Sequence, residues 1–279
     1  MILISLQRCD LINPSEGVPA YIHIDSFTLK GNYDTVGSLS HKITDAWIIV
    51  DDQFIGTFEL PCTFPVLEKG EHQITIRAGV YENGISNVRD VYPFYNYYTI
   101  NHNFTEKKVD TIHPVINYLV PAVKYEFLED FETSRNIFKK TSSSTIDYIK
   151  TDSASDVFEG RYSLKATLDT AYDLFEIETY NNYILPRNKS AFLELNYKSD
   201  ITFQIGYIAY NPYTGDQNKH LFLYLNPSQT WKKIYVNFGT EVNFESSLLI
   251  FKVVIGTMKT DNSSLSHIYL DNIKLICFE

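Results

Sequence analysis

Alternation of apolar and polar residues with a period of two, renewed about every ten residues, constrains this chain more than any other feature. It runs through Tyr21–Lys30, Asp45–Val50, His72–Arg77, Tyr162–Leu168, Ala191–Lys198, Ile201–Tyr210, Leu221–Asn226, Lys232–Phe238 and Ile268–Ile276, with Asn, Asp, Gly or Ser between the runs. Strands place successive side chains on opposite faces, so short alternating runs at this spacing are the pattern of β-sandwiches. The aromatic residues agree: 21 Tyr and 18 Phe stand against two Trp and two Met, and flat rings suit a pleated, half-buried surface. The fold class expected is all-β, two tandem β-sandwiches. At 279 residues the chain can bury about three quarters of its unfolded surface without covalent staples.

Charge removes some partners. Lys and Arg number 24 against 34 Asp and Glu, a formal net charge of −10. That balance lacks the basic footprint needed on a phosphate backbone, so no nucleic acid is expected. Adsorption to anionic lipid by charge alone is disfavoured as well. No apolar run reaches the ~18 residues of a membrane-spanning helix.

The alternation breaks between Asn103 and Tyr125, where Pro114 and Pro121 bracket a mixed stretch. Each proline lacks a ladder donor, which argues against a central strand. The expected division is a tether over residues 1–17, a first sandwich over 18–115, a linker over 116–124 and a second sandwich over 125–279. Thr141–Thr145 reads as a loop within the second. The apolar stub Met1–Leu6 lacks the basic region of a secretory signal. It resembles the tail of a bacterial lipoprotein signal ending at Cys9, although Arg8 replaces the small residue usual there. An acylated Cys9 would tether the protein to the outer membrane of a cell envelope; the alternative is an ordinary N-terminus with a buried cysteine. Cys62 and Cys277 show no metal spacing, and a bridge between them would need the two sandwiches to meet.

In the first sandwich, Ala46–Gly56 turns at Asp51-Asp52, and Gly70 reverses the chain before His72–Arg77. This segment resembles a PEGA-type Ig module, with the surroundings similar to uncharacterised envelope lipoproteins of Bacteroidota. The second sandwich opens on Glu126–Glu132, continues through Glu159–Lys165 and Trp231, and closes on Tyr269–Leu275. These residues resemble the jelly rolls of carbohydrate-binding modules and galactose-binding-like domains. The resemblance implies a tight strand entry at Gly160 and a tryptophan packed at the core edge. It also implies a structural calcium joining first and last strands, with Glu129, Glu132 and Asp271 as ligands; a turn role for Asp271 is the alternative.

Catalytic patterns are missing from the sequence. The seven His are scattered, and neither a zinc-protease helix motif nor a nucleophile elbow occurs. Glu129-Asp130-Phe131-Glu132 is the densest carboxylate run, with no matched second element, so the protein is expected not to be an enzyme. Two tyrosine-rich stretches suggest binding. Tyr210, Asn211, Tyr213 and Asp216 could stack on a sugar and pair with its hydroxyls, or simply cover a hairpin. Around Pro93, Phe94, Tyr95 and Tyr97 are expected to hold a protein partner at a sheet edge, with the rings of Tyr95 and Tyr97 facing outward. The leading expectation is therefore a non-enzymatic accessory lipoprotein docked on an outer-membrane protein complex. Glycan binding by the jelly roll is the alternative, with a glycosidase or lyase remnant third.

Overall fold

A computed structural model describes residues 17–246, 248–260 and 265–279. Cys9 and the apolar stub lie outside the described residues. Almost every element is a strand, as the alternation requires: Asp45–Val50 coincides with its run, and Ser163–Leu168, Ala191–Ser199, Phe203–Tyr210 and Ser266–Phe278 match theirs within a few residues. Leu174–Thr179 and Ile250–Met258 are strands that the reading by period passed over.

The first sandwich is built on two larger sheets, with a two-stranded one beside them. In one, Ala20–Ile24 runs antiparallel to Cys62–Val66 and parallel to Val109–Thr111. In the other, Asp45–Val50 lies between Gln53–Glu59 and the long strand Gly70–Tyr81, which also pairs with Arg89–Val91 and Tyr98–Phe104. The hairpin at Asp51-Asp52 has positive φ at both residues, 44° and 66°, the twist that lets antiparallel strands close on a two-residue turn. Ile22, Phe64, Ile48, Ile74 and Ile76 are fully buried in the common core. Val115–Asn117, inside the expected linker, pairs parallel with Thr28–Lys30.

The second sandwich has one sheet in the order Ile149–Thr151, Ser163–Leu168, Ser266–Phe278, Ala191–Ser199, Ser228–Asn237, with Val123–Glu129 added on Ser266–Phe278. The opposing sheet runs Phe138–Lys140, Leu174–Thr179, Ile250–Met258, Phe203–Tyr210, Gln217–Leu225. Leu193, Leu195, Ile234 and Val236 point between the sheets into this core. Gly160 has φ +69°, and a Cβ there would stand 2.5 Å from Glu132 Oε1. Its missing side chain makes room for that carboxylate, which accepts from the backbone N–H of Arg161 and Tyr162 at 2.7 and 2.8 Å.

The two sandwiches share a core. Phe192, Tyr235 and Ile276, all from the outward face of the second domain's first sheet, pack in the same cluster as Ile22, Tyr92 and Phe94. The free edge of Ser228–Asn237 is also engaged: Asn83 N–H donates to the Tyr235 carbonyl at 2.8 Å, and Asn237 N–H donates to Asn83 Oδ1 at 2.9 Å. Exposed ladder groups invite other strands, and this turn covers them. Cys62 and Cys277 are both free.

Candidate functional site

The site starts from strand parity. In the antiparallel pair Ala191–Ser199 and Ser228–Asn237, Glu194 stands opposite Tyr235 and Asn196 opposite Lys233. These residues occupy the face away from the jelly-roll core, continued by Trp231 two residues before Lys233. The first sandwich covers one end of this face. There Tyr92 and Tyr118 donate to Glu194 Oε1 at 2.7 and 2.9 Å, and Lys233 Nζ lies 2.8 Å from Glu194 Oε2. Burial disfavours the Glu194 charge, yet Lys233 and Lys274 outweigh it and hold the carboxyl below its usual range. Lys274 is itself pushed down to about 7 by burial, while its ammonium donates to the Ser38 carbonyl at 2.6 Å.

The cover thins along the Ser40–Lys42 segment. Lys42 N–H donates to the Tyr235 hydroxyl at 2.9 Å, and Asn196 Nδ2 donates to Ser40 Oγ at 3.0 Å. Beyond these contacts a cleft of about 520 Å³ opens between the sandwiches, lined among others by His41, Tyr81, Phe158, Asn196, Trp231 and Lys233. Trp231 and Phe158 pack with ring centroids 5.4 Å apart, and the Lys198 ammonium lies 5.7 Å from the centre of the Trp231 ring. Apart from Lys233 Nζ, which the Glu194 carboxylate answers as an ion pair, three polar atoms here lack a hydrogen-bond partner: His41 Nδ1, Asn196 Oδ1 and Trp231 Nε1. Burial, with Lys233 adding to it, lowers the His41 pKa, so the ring is neutral and offers one donor and one acceptor. An unpaired buried polar atom costs about 1–3 kcal/mol, so three around one cleft ask for an explanation.

The sequence candidates fall elsewhere. Tyr210, Asn211, Tyr213 and Asp216 come together at a hairpin tip, and Tyr213 is 80% exposed. Asn211 Oδ1 accepts from the backbone of Tyr213 and Thr214 at 2.9 and 3.3 Å, and Asp216 accepts from the Thr214 hydroxyl at 2.7 Å. Their oxygens are engaged in closing the turn.

Tyr95 does not face outward as expected, and Phe94 is likewise out of a partner's reach. Phe94 and Tyr95 are 0% and 1% exposed and form, with Tyr92, a plug of rings against Phe192 and Tyr235 where the sandwiches meet. The segment after Pro93 is a turn folded inward, with only the isolated bridge between Tyr95 and Tyr118, so no edge strand exists to display them. Tyr97 is half exposed beneath the Arg77 guanidinium, 4.3 Å from its ring centre.

The residues expected to hold calcium do not fit it. Glu129 accepts from Phe131 and Ile137 N–H at 2.8 Å each, Glu132 binds Arg161 and Tyr162 as above, and Asp271 accepts from the Ser163 hydroxyl at 2.6 Å. Each carboxylate is occupied by its own donors, whereas Ca²⁺ gathers six to eight oxygens at one point. Among the described residues no three His, Cys, Asp or Glu converge.

The sequence matches no protein-family model and no curated protein. Similar solved structures are carbohydrate-binding modules of the β-sandwich kind. A family 22 module joined to xylanase 10B of Clostridium thermocellum aligns at TM-score 0.41 and 12% identity, over 56% of this chain and 28% of that one. This chain therefore spans well under half of that protein. The structure from a study of promiscuous carbohydrate-binding modules aligns at TM-score 0.43 and 12% identity, over 94% and 99% of the two chains. The xylan-binding domain of Paenibacillus barcinonensis xylanase 10C gives 0.40 and 12%, over 57% and 97%. The likeness is one of β-sandwich fold. The expected accessory role on an outer-membrane complex is withdrawn: two of the three rings meant for docking, Phe94 and Tyr95, are core.

Trp231, Asn196 and His41 were missed as functional candidates. Their signal was available in part: a strand reading Phe192-Leu-Glu-Leu-Asn-Tyr197 puts polar Glu194 and Asn196 among apolar neighbours, which marks a face covered by a second layer.

Proposed function

We propose that this protein binds a glycan in the cleft between its two sandwiches, without acting on it chemically. One observation carries the reading: the partly exposed Trp231 ring is set among buried polar atoms of Asn196 and His41 that have no partner. A sugar ring presents C–H groups on its faces and hydroxyls on its rim. The faces suit an indole, and the hydroxyls can both donate and accept, which is what an unpaired amide oxygen and a neutral imidazole need. A concave site of this size with few placed polar groups is the usual form of a small-ligand site. No pair of free carboxyl groups lies across the cleft for glycosidic cleavage, since among the described residues its lining includes no Asp or Glu.

The test is a glycan array followed by titration calorimetry on the hits. Trp231→Ala should weaken binding at least about tenfold, the equivalent of about 1.4 kcal/mol, with the melting temperature little changed. Tyr213→Ala at the hairpin tip should leave binding intact. The reverse pattern would move the site to the tip, and silence across the array would end the reading.

A further inference from the structure

The first sandwich carries an aromatic platform of its own. Trp47 and Arg77 stand opposite each other in the antiparallel pair Asp45–Val50 and Gly70–Tyr81, and the adjoining pair, Ile48 and Ile76, is fully buried in the core. Parity therefore turns Trp47 and Arg77 to the outer face of that sheet. An outer face usually carries polar side chains, but here rings gather. Phe54 lies beside Trp47 with ring centroids 5.8 Å apart. The Arg77 guanidinium lies 4.3 Å from the centre of the Tyr97 ring. Phe54 and Tyr97 are 58% and 50% exposed. Arg77 is held there without a countercharge: it joins no hydrogen bond or ion pair among the described residues, and its Nε, like Trp47 Nε1, is buried without a partner. Arg89 on the same sheet is the contrast, with Asp45 and Glu59 on its two Nη groups at 2.6 and 2.9 Å. The nearby hydroxyls of Thr75 and Thr99 are tied to each other at 3.0 Å. In a chain of net charge −10, a guanidinium stacked on a ring and free of carboxylates is a seat for an anion.

We propose that this outer face binds a uronate-bearing polysaccharide, with one carboxylate on the Arg77 guanidinium and sugar rings against Trp47 and Phe54. A planar carboxylate matches the guanidinium fork through two parallel hydrogen bonds. A peptide laid on the face suits it less well, because every backbone N–H it brings needs an acceptor, while both unpartnered buried groups here are donors. A polyuronate brings the complement: its carboxylates, ring oxygens and glycosidic oxygens only accept, and its hydroxyls accept as well. The site is separate from the cleft, since none of Trp47, Phe54, Arg77 and Tyr97 lines that space.

The experiment titrates the full chain with gluco-, galacto- and manno-uronate oligosaccharides, each beside its carboxyl-reduced form, and with a sulfated galactan. At least one uronate should bind about tenfold more tightly than its reduced form, with the advantage shrinking as salt is raised from ~50 to ~500 mM. Arg77→Gln should erase that advantage, and Arg77→Lys should restore only part of it, because an ammonium lacks the planar fork. Arg135→Gln, which removes the same charge from an exposed site elsewhere, should leave the advantage as it is. Circular-dichroism melts accompany each variant, and the lysine variant keeps the test open if the glutamine variant unfolds. Equal binding of uronates and their reduced forms would overturn the proposal, as would an advantage that survives Arg77→Gln or falls equally in Arg135→Gln. Binding of the sulfated galactan alone would overturn the carboxylate assignment.

Discussion

The Tyr92 hydroxyl donates to Glu194 Oε1 at 2.7 Å, a hydrogen bond from the first sandwich to a fully buried carboxylate on the second. Tyr118 adds a second such donor and Lys233 supplies the countercharge. Burying an ion pair is tolerable only when its remaining acceptor sites are filled, and here the other domain fills them. The junction is a specific joint between two interlocked halves.

Glu194→Gln should therefore be costly, although it is nearly isosteric. It leaves Lys233 buried without its countercharge, and removing one member of a buried pair costs about 3–5 kcal/mol. The double variant Glu194→Gln/Lys233→Met should recover more than half of that loss. Urea melts of wild type, both single variants and the double variant would measure the coupling.

Tyr95 and Tyr97, two residues apart, should behave oppositely. Tyr95→Ala empties a site that is 1% exposed and should cost about 3–5 kcal/mol. Tyr97→Ala removes an exposed ring and its stacking with Arg77, and should cost no more than about 1 kcal/mol. Thermal melts of the two variants decide it, and similar values would contradict the inward turn after Pro93.

Asn83 should matter to the edge it covers. Its side chain accepts from Asn237 N–H and its φ is +54°, a conformation that asparagine tolerates and alanine resists. Asn83→Ala should cost about 1–2 kcal/mol, combining the lost acceptor with backbone strain. Hydrogen exchange at Asn237 should speed up in the same variant.

Asp271 gives the stability a pH signature. Burial pushes its carboxyl up from an ordinary 3.8 to about 7, even though Ser163 and backbone N–H groups hydrogen-bond it. Between these values the folded protein holds a proton that the unfolded chain has released, so unfolding becomes easier as pH rises through the window. Asp271→Asn should remove that decline and be more stable than wild type at pH 7.5 by about 1–3 kcal/mol. At pH 4 the two should be nearly equal. Urea melts at several pH values would show it, and parallel curves for the two proteins would refute it.

Much of the fold was legible because it is local. Alternation located many of the strands, though not Leu174–Thr179 or Ile250–Met258, and Asp51-Asp52 announced its turn, since both signals depend on residues adjacent in sequence. The cleft depends on register instead. Only when Asn196 pairs with Lys233, and Tyr235 is capped from the first sandwich, do Trp231 and His41 come to line one space. Nothing local carries that information. The inward rings after Pro93 escape a local reading for a related reason: a proline argues against a central strand but does not say what covers the segment. What borders Tyr95 is another domain, through Tyr235. Polar Glu194 and Asn196 within an apolar run hint at that second layer.

The shared core has a consequence for engineering. Phe192, Tyr235 and Ile276 belong to the second sandwich by sequence but to the first by packing. A gene fragment ending between the halves would encode proteins with raw apolar faces, prone to clump or be degraded. A laboratory fusion that borrows the jelly roll alone inherits the same handicap, unless those three positions and Glu194 are first rewritten for water.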